Sequence, residues 1–124
     1  MTENKDEIEI WKNFNEDTRQ EIRDLFDDNQ NEHLVFLKKA LQKNDNILKK
    51  IPVFVEYGLS RVRDDEDNFA LSDYFFILSE IRGLSDDVHS FFTDVMIYCE
   101  DKMINFTNAS QIKNYYIKKI TPLL

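Results

Sequence analysis

Glycine and proline are nearly missing from this chain, with two of each in 124 residues. Sheets turn on Gly, Pro and Asn-Gly pairs, so a strand-rich fold is disfavoured. Long helices joined by short polar connections manage with few of either. One cysteine, Cys99, excludes an internal disulfide and any Cys-x-x-Cys metal site. The chain begins Met-Thr-Glu-Asn-Lys and holds no apolar run of signal or transmembrane length. A cytoplasmic protein without a membrane role is expected. On that reading the sequons Asn105-Phe106-Thr107 and Asn108-Ala109-Ser110 are chance matches. There is no Gly-rich phosphate loop, no His-Glu-x-x-His and no nucleophile elbow. An enzyme is therefore not expected, nor a cofactor.

What is present is apolar and aromatic. The chain is 42% hydrophobic and holds ten Phe, five Tyr and one Trp. That is too much apolar surface for a disordered chain, and 124 residues suit one domain. We expect a single helical domain over 1–124, with residues 1–6 frayed.

Charge is unevenly spread. The net value of −8 divides into −7 over residues 1–33, +5 over 34–63, −10 over 64–101 and +4 over 102–124. A net acidic balance argues against direct nucleic-acid binding, which needs a basic face. It suits a dipolar surface that steers a basic protein partner.

Hydrophobic spacing predicts an all-α bundle of five or six helices. A short helix is expected near Glu7–Phe14. Thr18-Arg19-Gln20-Glu21 reads as a capping box before Ile22, Leu25 and Phe26. Asn31 caps a helix whose face carries Leu34, Leu37, Leu41, Leu48 and Ile51, with Pro52 ending or kinking it. Residues 52–58 alternate like a strand, but no partner strand is evident, so a helix is expected. Ser72 caps the next helix, with Tyr74, Ile77, Leu78 and Ile81 on one face and Phe75 and Phe76 widening it. Gly83 is its left-handed stop, and Ser85 caps the following helix. Val88, Phe91, Phe92, Val95, Cys99, Met103 and Phe106 form one stripe there. The pair should make a central antiparallel hairpin over about residues 72–106. A last helix carries Ile112, Tyr115, Tyr116 and Ile120.

Candidate functional residues follow from the acids. Asp64, Asp65, Glu66 and Asp67 are consecutive. Read as a calcium loop they fail, because Phe69 falls where Gly is required and Phe75 where Glu is required. No metal site is expected. Asp87, Asp94, Tyr98 and Asp101 share a helical stripe roughly 100–120° from the apolar one. Ile97 and Ile104 lie off the apolar stripe. Ile97 and Tyr98 framed by acids resemble an apolar hot spot with a charged rim. His33 is followed by Leu34-Val35-Phe36, unlike the Lys and Gly that follow a phosphotransfer histidine. His89 is expected in solvent and Cys99 in the core.

In size, charge and helix content the chain resembles immunity proteins and small inhibitors, a likeness no motif carries. The expected function is a small acidic module that occludes a basic protein partner through Asp64–Asp67, Asp87, Asp94, Ile97, Tyr98 and Asp101. A DNA mimic that blocks a nucleic-acid enzyme is the alternative, as is a self-associating regulator, with a homodimer as its signature.

Overall fold

The structure, a computed structural model, describes residues 12–27, 30–43 and 46–124. Of the helix expected near Glu7–Phe14, residues 7–11 lie outside the described residues, as does the frayed start, and residues 12–14 form a turn and a bridge instead of helix. Among the described residues the fold is all-α, with six α-helices. They are α1 Arg19–Asp27, α2 Glu32–Lys43, α3 Ile51–Leu59, α4 Phe69–Ser79, α5 Asp86–Cys99 and α6 Ala109–Tyr115. Helix α6 runs on through a π turn, Tyr116–Ile120, and a 3-10 turn, Thr121–Leu123.

Helix α4 is the centre. Leu71, Tyr74, Phe75, Ile77 and Leu78 are all buried, because its sequence is apolar nearly all round. It packs on α5 and also touches α2 and α3. The α4–α5 pair is antiparallel. Phe75 meets Phe92 at a ring separation of 6.4 Å, while Ser79 meets His89 one turn further on. The His89 Nδ1–H donates to the Ser79 carbonyl at 2.8 Å, so this exposed imidazole fastens the turn of the hairpin. Ser85 caps α5 as expected, accepting from the Val88 amide.

Gly58 lets α3 lie close against α4. A Cβ there would sit 2.5 Å from Phe75 Cζ and 2.9 Å from Tyr74 Cε1. The Tyr74 hydroxyl donates to the Phe54 carbonyl at 2.6 Å, which joins the same two helices and satisfies a buried phenol. Residues 52–58 are thus helix, and the helical expectation there is correct. Pro52, however, opens α3 instead of ending α2. A proline in the first turn has no amide to lose there, and its φ is already helical.

Several boundaries differ from the sequence expectation. Thr18 makes no capping box. Its hydroxyl donates to the Asn15 carbonyl, and it closes a 3-10 turn, Glu16–Thr18, that leads straight into α1. Helix α4 starts at Phe69, three residues before Ser72, whose hydroxyl donates to the Phe69 carbonyl instead of capping. Leu48 is 43% exposed and Ile47 takes its buried place. The chain leaves α2 after Lys43 and re-enters as the 3-10 turn Ile47–Lys50, which shifts the phase of the apolar face. Gly83 has φ +92, as a left-handed stop should, but it lies in the connection, beyond the end of α4. That connection is held down by a single antiparallel bridge, Phe14 to Ile81, with the Arg82 amide donating to the Asn13 carbonyl at 2.8 Å.

The largest departure concerns α5. The expected stripe runs to Phe106, but the helix stops at Cys99. Asp101 adopts φ +64. The Lys102 amide donates to the Ile97 carbonyl and the Asp101 amide to the Tyr98 carbonyl, the paired bonds of a Schellman stop. An aspartate fills the left-handed position usually given to glycine. The hairpin therefore spans 69–99 and not 72–106.

Candidate functional site: the acidic end

The α3–α4 connection carries the acidic run. Its two ends are tied by one side chain. The Arg63 amide donates to Asn68 Oδ1 at 3.0 Å, and Asn68 Nδ2 donates to the Arg63 carbonyl at 2.9 Å. Between these ties Asp64 to Asp67 form a tight bend, and all four are exposed.

Asp64 differs from its neighbours in what it holds. Its Oδ1 accepts from the Tyr98 hydroxyl at 2.8 Å and from the Ala109 amide at 2.8 Å. One carboxylate thus joins the acidic loop, the end of α5 and the start of α6. The Ala109 amide, the Tyr98 hydroxyl and, more weakly, Lys113 hold the Asp64 carboxyl below its usual range. Asn108 caps the same helix start by accepting from the Gln111 amide, while Gln111 Oε1 accepts from the Thr107 amide.

Tyr98 is buried, with 6% of its surface exposed. Its expected role as an exposed aromatic anchor on the acidic face is therefore overturned. The acidic loop folds over the ring and gives its hydroxyl a partner, so the polar tip no longer needs water. Burial pushes its phenol up to about 12, and the bond to Asp64 adds to the effect. Ile97 is half-buried and its carbonyl serves the helix stop.

The remaining acids divide into two places. Glu66, Asp67 and Asp101 line one 40 Å³ cleft with Asp64, Tyr98 and Met103. Asp65 is exposed on the same bend. Asp94 is half-buried and accepts from Asn105 Nδ2 at 2.7 Å, which draws the segment after α5 back along it. Asp87 is exposed in the first turn of α5. At 1.5 Å per residue it stands about 20 Å from Asp101 along the axis. The structure thus gathers Asp64–Asp67 with Asp101 and leaves Asp87 apart.

Of two exposed apolar residues beside these acids, Ile104 lies off the apolar stripe as expected, but Met103 was not legible as surface. Met103 is 61% exposed, although the stripe places it in the core, and Ile104 is 70% exposed. Both lie outside the helix because it ends at Cys99, seven residues before its apolar pattern does. Phe69, next to the bend, is 56% exposed. Nothing in the pattern around Met103 signals this, except Asp101 itself, a residue type that tolerates the left-handed region.

Elsewhere, titratable groups are taken up by packing. His33 is buried and not on the surface, with Nδ1 3.1 Å from the Tyr57 hydroxyl. Burial lowers its pKa, against the opposing pull of Glu32. The Tyr57 ring stacks on Phe36 at 3.8 Å, and Arg61 Cζ lies 3.7 Å from its centre. Both cannot occupy one face at those distances, so the ring is sandwiched between them. That fixes one of the basic residues of the 34–63 block against an aromatic face. Cys99 is buried, and burial pushes its thiol up to about 12. Among the described residues no three His, Cys, Asp or Glu side chains converge on a common point, and no helix is long and apolar enough to cross a membrane.

Fold and surface together define a small all-α bundle with one acidic, partly apolar end. No family model, curated protein or solved structure matches the chain.

Proposed function

We propose that this protein is a non-enzymatic binding module that engages a basic protein partner through its acidic end. One observation carries the reading. Exposed Glu66, Asp67 and Asp101 line one cleft with exposed Met103 and with Arg63, Asp65 is exposed on the same bend, and the sequence neighbours Phe69 and Ile104 are exposed as well. An apolar centre supplies affinity, and a mainly acidic rim supplies steering and specificity. The −10 segment 64–101 would raise the association rate toward a cationic surface. Occlusion of such a surface is the action of an inhibitor or immunity-type protein, in the cytoplasm on the composition of the chain.

The acids that recognise the partner are Asp65, Glu66, Asp67 and Asp101. Asp64 and Asp94 serve the fold through Tyr98, Ala109 and Asn105, and Tyr98 is not a contact. The test compares capture from a lysate by wild type and by Asp65→Lys/Glu66→Lys/Asp67→Lys, at about 50 and about 500 mM salt. Wild type should retain basic proteins at low salt and release them at high salt. The triple variant should retain none, with an unchanged circular dichroism spectrum. Asp87→Lys, at the other end of α5, should behave as wild type. Capture indifferent to both salt and charge reversal would remove the proposal.

A further inference from the structure

A second exposed apolar surface lies next to the acidic end. A groove of 360 Å³ runs between the Asn105–Phe106 stretch and the last helix. Phe106 and Tyr115 line it with their rings edge to face at 5.7 Å, and Lys118 and Lys119 line its rim. Tyr115 stacks on Phe91 yet stays 42% exposed. The whole segment 102–124 carries four bases and no acid. An open aromatic groove with a lysine rim calls for an apolar insert with acids beside it.

The chain itself presents such an insert. Met103 and Ile104 project into solvent directly before the groove, with Asp101 and the acidic bend at their side. Ile104 is 70% exposed, so it does not fill the groove of its own molecule. The insert runs directly into Asn105, the first residue that lines the groove. A two-fold axis near Asn105 would set the insert of each copy into the groove of the other, because in an isologous contact every pairing occurs twice.

We propose that the occupant of this groove is a second copy of the chain. Met103 and Ile104 of each copy enter the Phe106–Tyr115 groove of the other, and the acids beside them face Lys118 and Lys119 across the interface. Charge complementarity selects this occupant, since the basic rim and the acidic flank are both present in every molecule. The dimer covers Met103, so a second copy and a foreign basic partner exclude one another. That last consequence rests on the function proposed above, whereas the dimer itself does not.

Sedimentation equilibrium of the full chain at about 50 and about 500 mM salt tests it. The expected mass at low salt is twice 14.9 kDa. High salt should weaken association at least about tenfold, and so should Ile104→Glu. Lys118→Glu/Lys119→Glu should be monomeric alone, as should Asp65→Lys/Glu66→Lys/Asp67→Lys, and an equimolar mixture of the two should form a mixed dimer. All of these positions are exposed, so the fold should survive each change. A wild type that stays monomeric at about 1 mM in low salt overturns the proposal. So does a dimer that ignores Ile104→Glu, or a mixture that stays monomeric. A monomer that still captures basic proteins would leave the binding function standing, while a wild-type dimer would lose that function alone if the monomeric Lys118→Glu/Lys119→Glu variant, whose acidic end is uncovered, also captures none.

Discussion

Asp64 and Asp101 show how much two aspartates of one acidic surface differ in physical role. Asp64 accepts two hydrogen bonds from segments far away in sequence, and the folded state holds its carboxyl below the usual range. A carboxyl depressed on folding stabilises at pH values above its unfolded pKa, and that contribution is lost as pH falls through the folded value. Asp64→Asn should therefore lower Tm at neutral pH, and the gap from wild type should close in acid. Thermal melts across an acid-to-neutral series check this, and Asp65→Asn should show no comparable gap. Tyr98 carries the opposite sign. Its phenol is raised to about 12, so its share is complete below the ordinary tyrosine value and is lost as pH climbs past it. Asp101 instead bears backbone strain at φ +64. A left-handed L-residue costs about 1–2 kcal/mol, part of which glycine relieves while loosening the unfolded chain. Asp101→Gly also takes a negative charge from the negative end of α5. It should raise stability by about 0.5–1 kcal/mol, read from the midpoint of urea unfolding.

At the level of elements, the α3–α4 contact depends on a missing side chain. A methyl group on Gly58 would overlap the Phe75 and Tyr74 rings. Overpacking costs about 1–3 kcal/mol, while alanine's better helix propensity returns at most about 1. Gly58→Ala should lower Tm, and an unchanged Tm would mean that the Phe75 ring swings aside. Nothing in "PVFVEYGLS" announces that Gly58 is there for contact, because one chain gives no view of what a neighbouring helix brings against it. The helices themselves were legible, since α4 is apolar nearly all round and α5 holds six buried residues at 3.6-residue spacing. Boundaries were not. The apolar spacing of α5 continues through Met103 to Phe106, and a stop written by Asp101 has no counterpart in periodicity. Ser72 carries the composition of a cap, but Asn68, spent on closing the acidic bend, lets the helix begin earlier. The acidic end was half legible for a related reason. Runs of charge mark surface well, but they do not reveal which carboxylate turns inward to a phenol 34 residues away.

Across the described residues, the acidic block 64–101 does not form one continuous face. Asp64–Asp67 and Asp101 meet at one end, Asp87 stands about 20 Å off, and Arg61 is held on Tyr57. The core that fixes these positions passes through Cys99, and its burial has a use beyond packing. A thiol that is 1% exposed, with its pKa raised to about 12, does not react with disulfide reagents while α5 is closed. The lone cysteine is thus a built-in clock for opening of the hairpin, and no label need be engineered. The modification rate of wild type reports how often α5 parts from its neighbours. Asp64→Asn should quicken that clock if the carboxylate holds the end of α5 closed, and should leave it unchanged if the end of α5 frays without exposing the core. The same thiol, read in the presence of a bound partner, would tell whether occupation of the acidic end stiffens the molecule or only covers it.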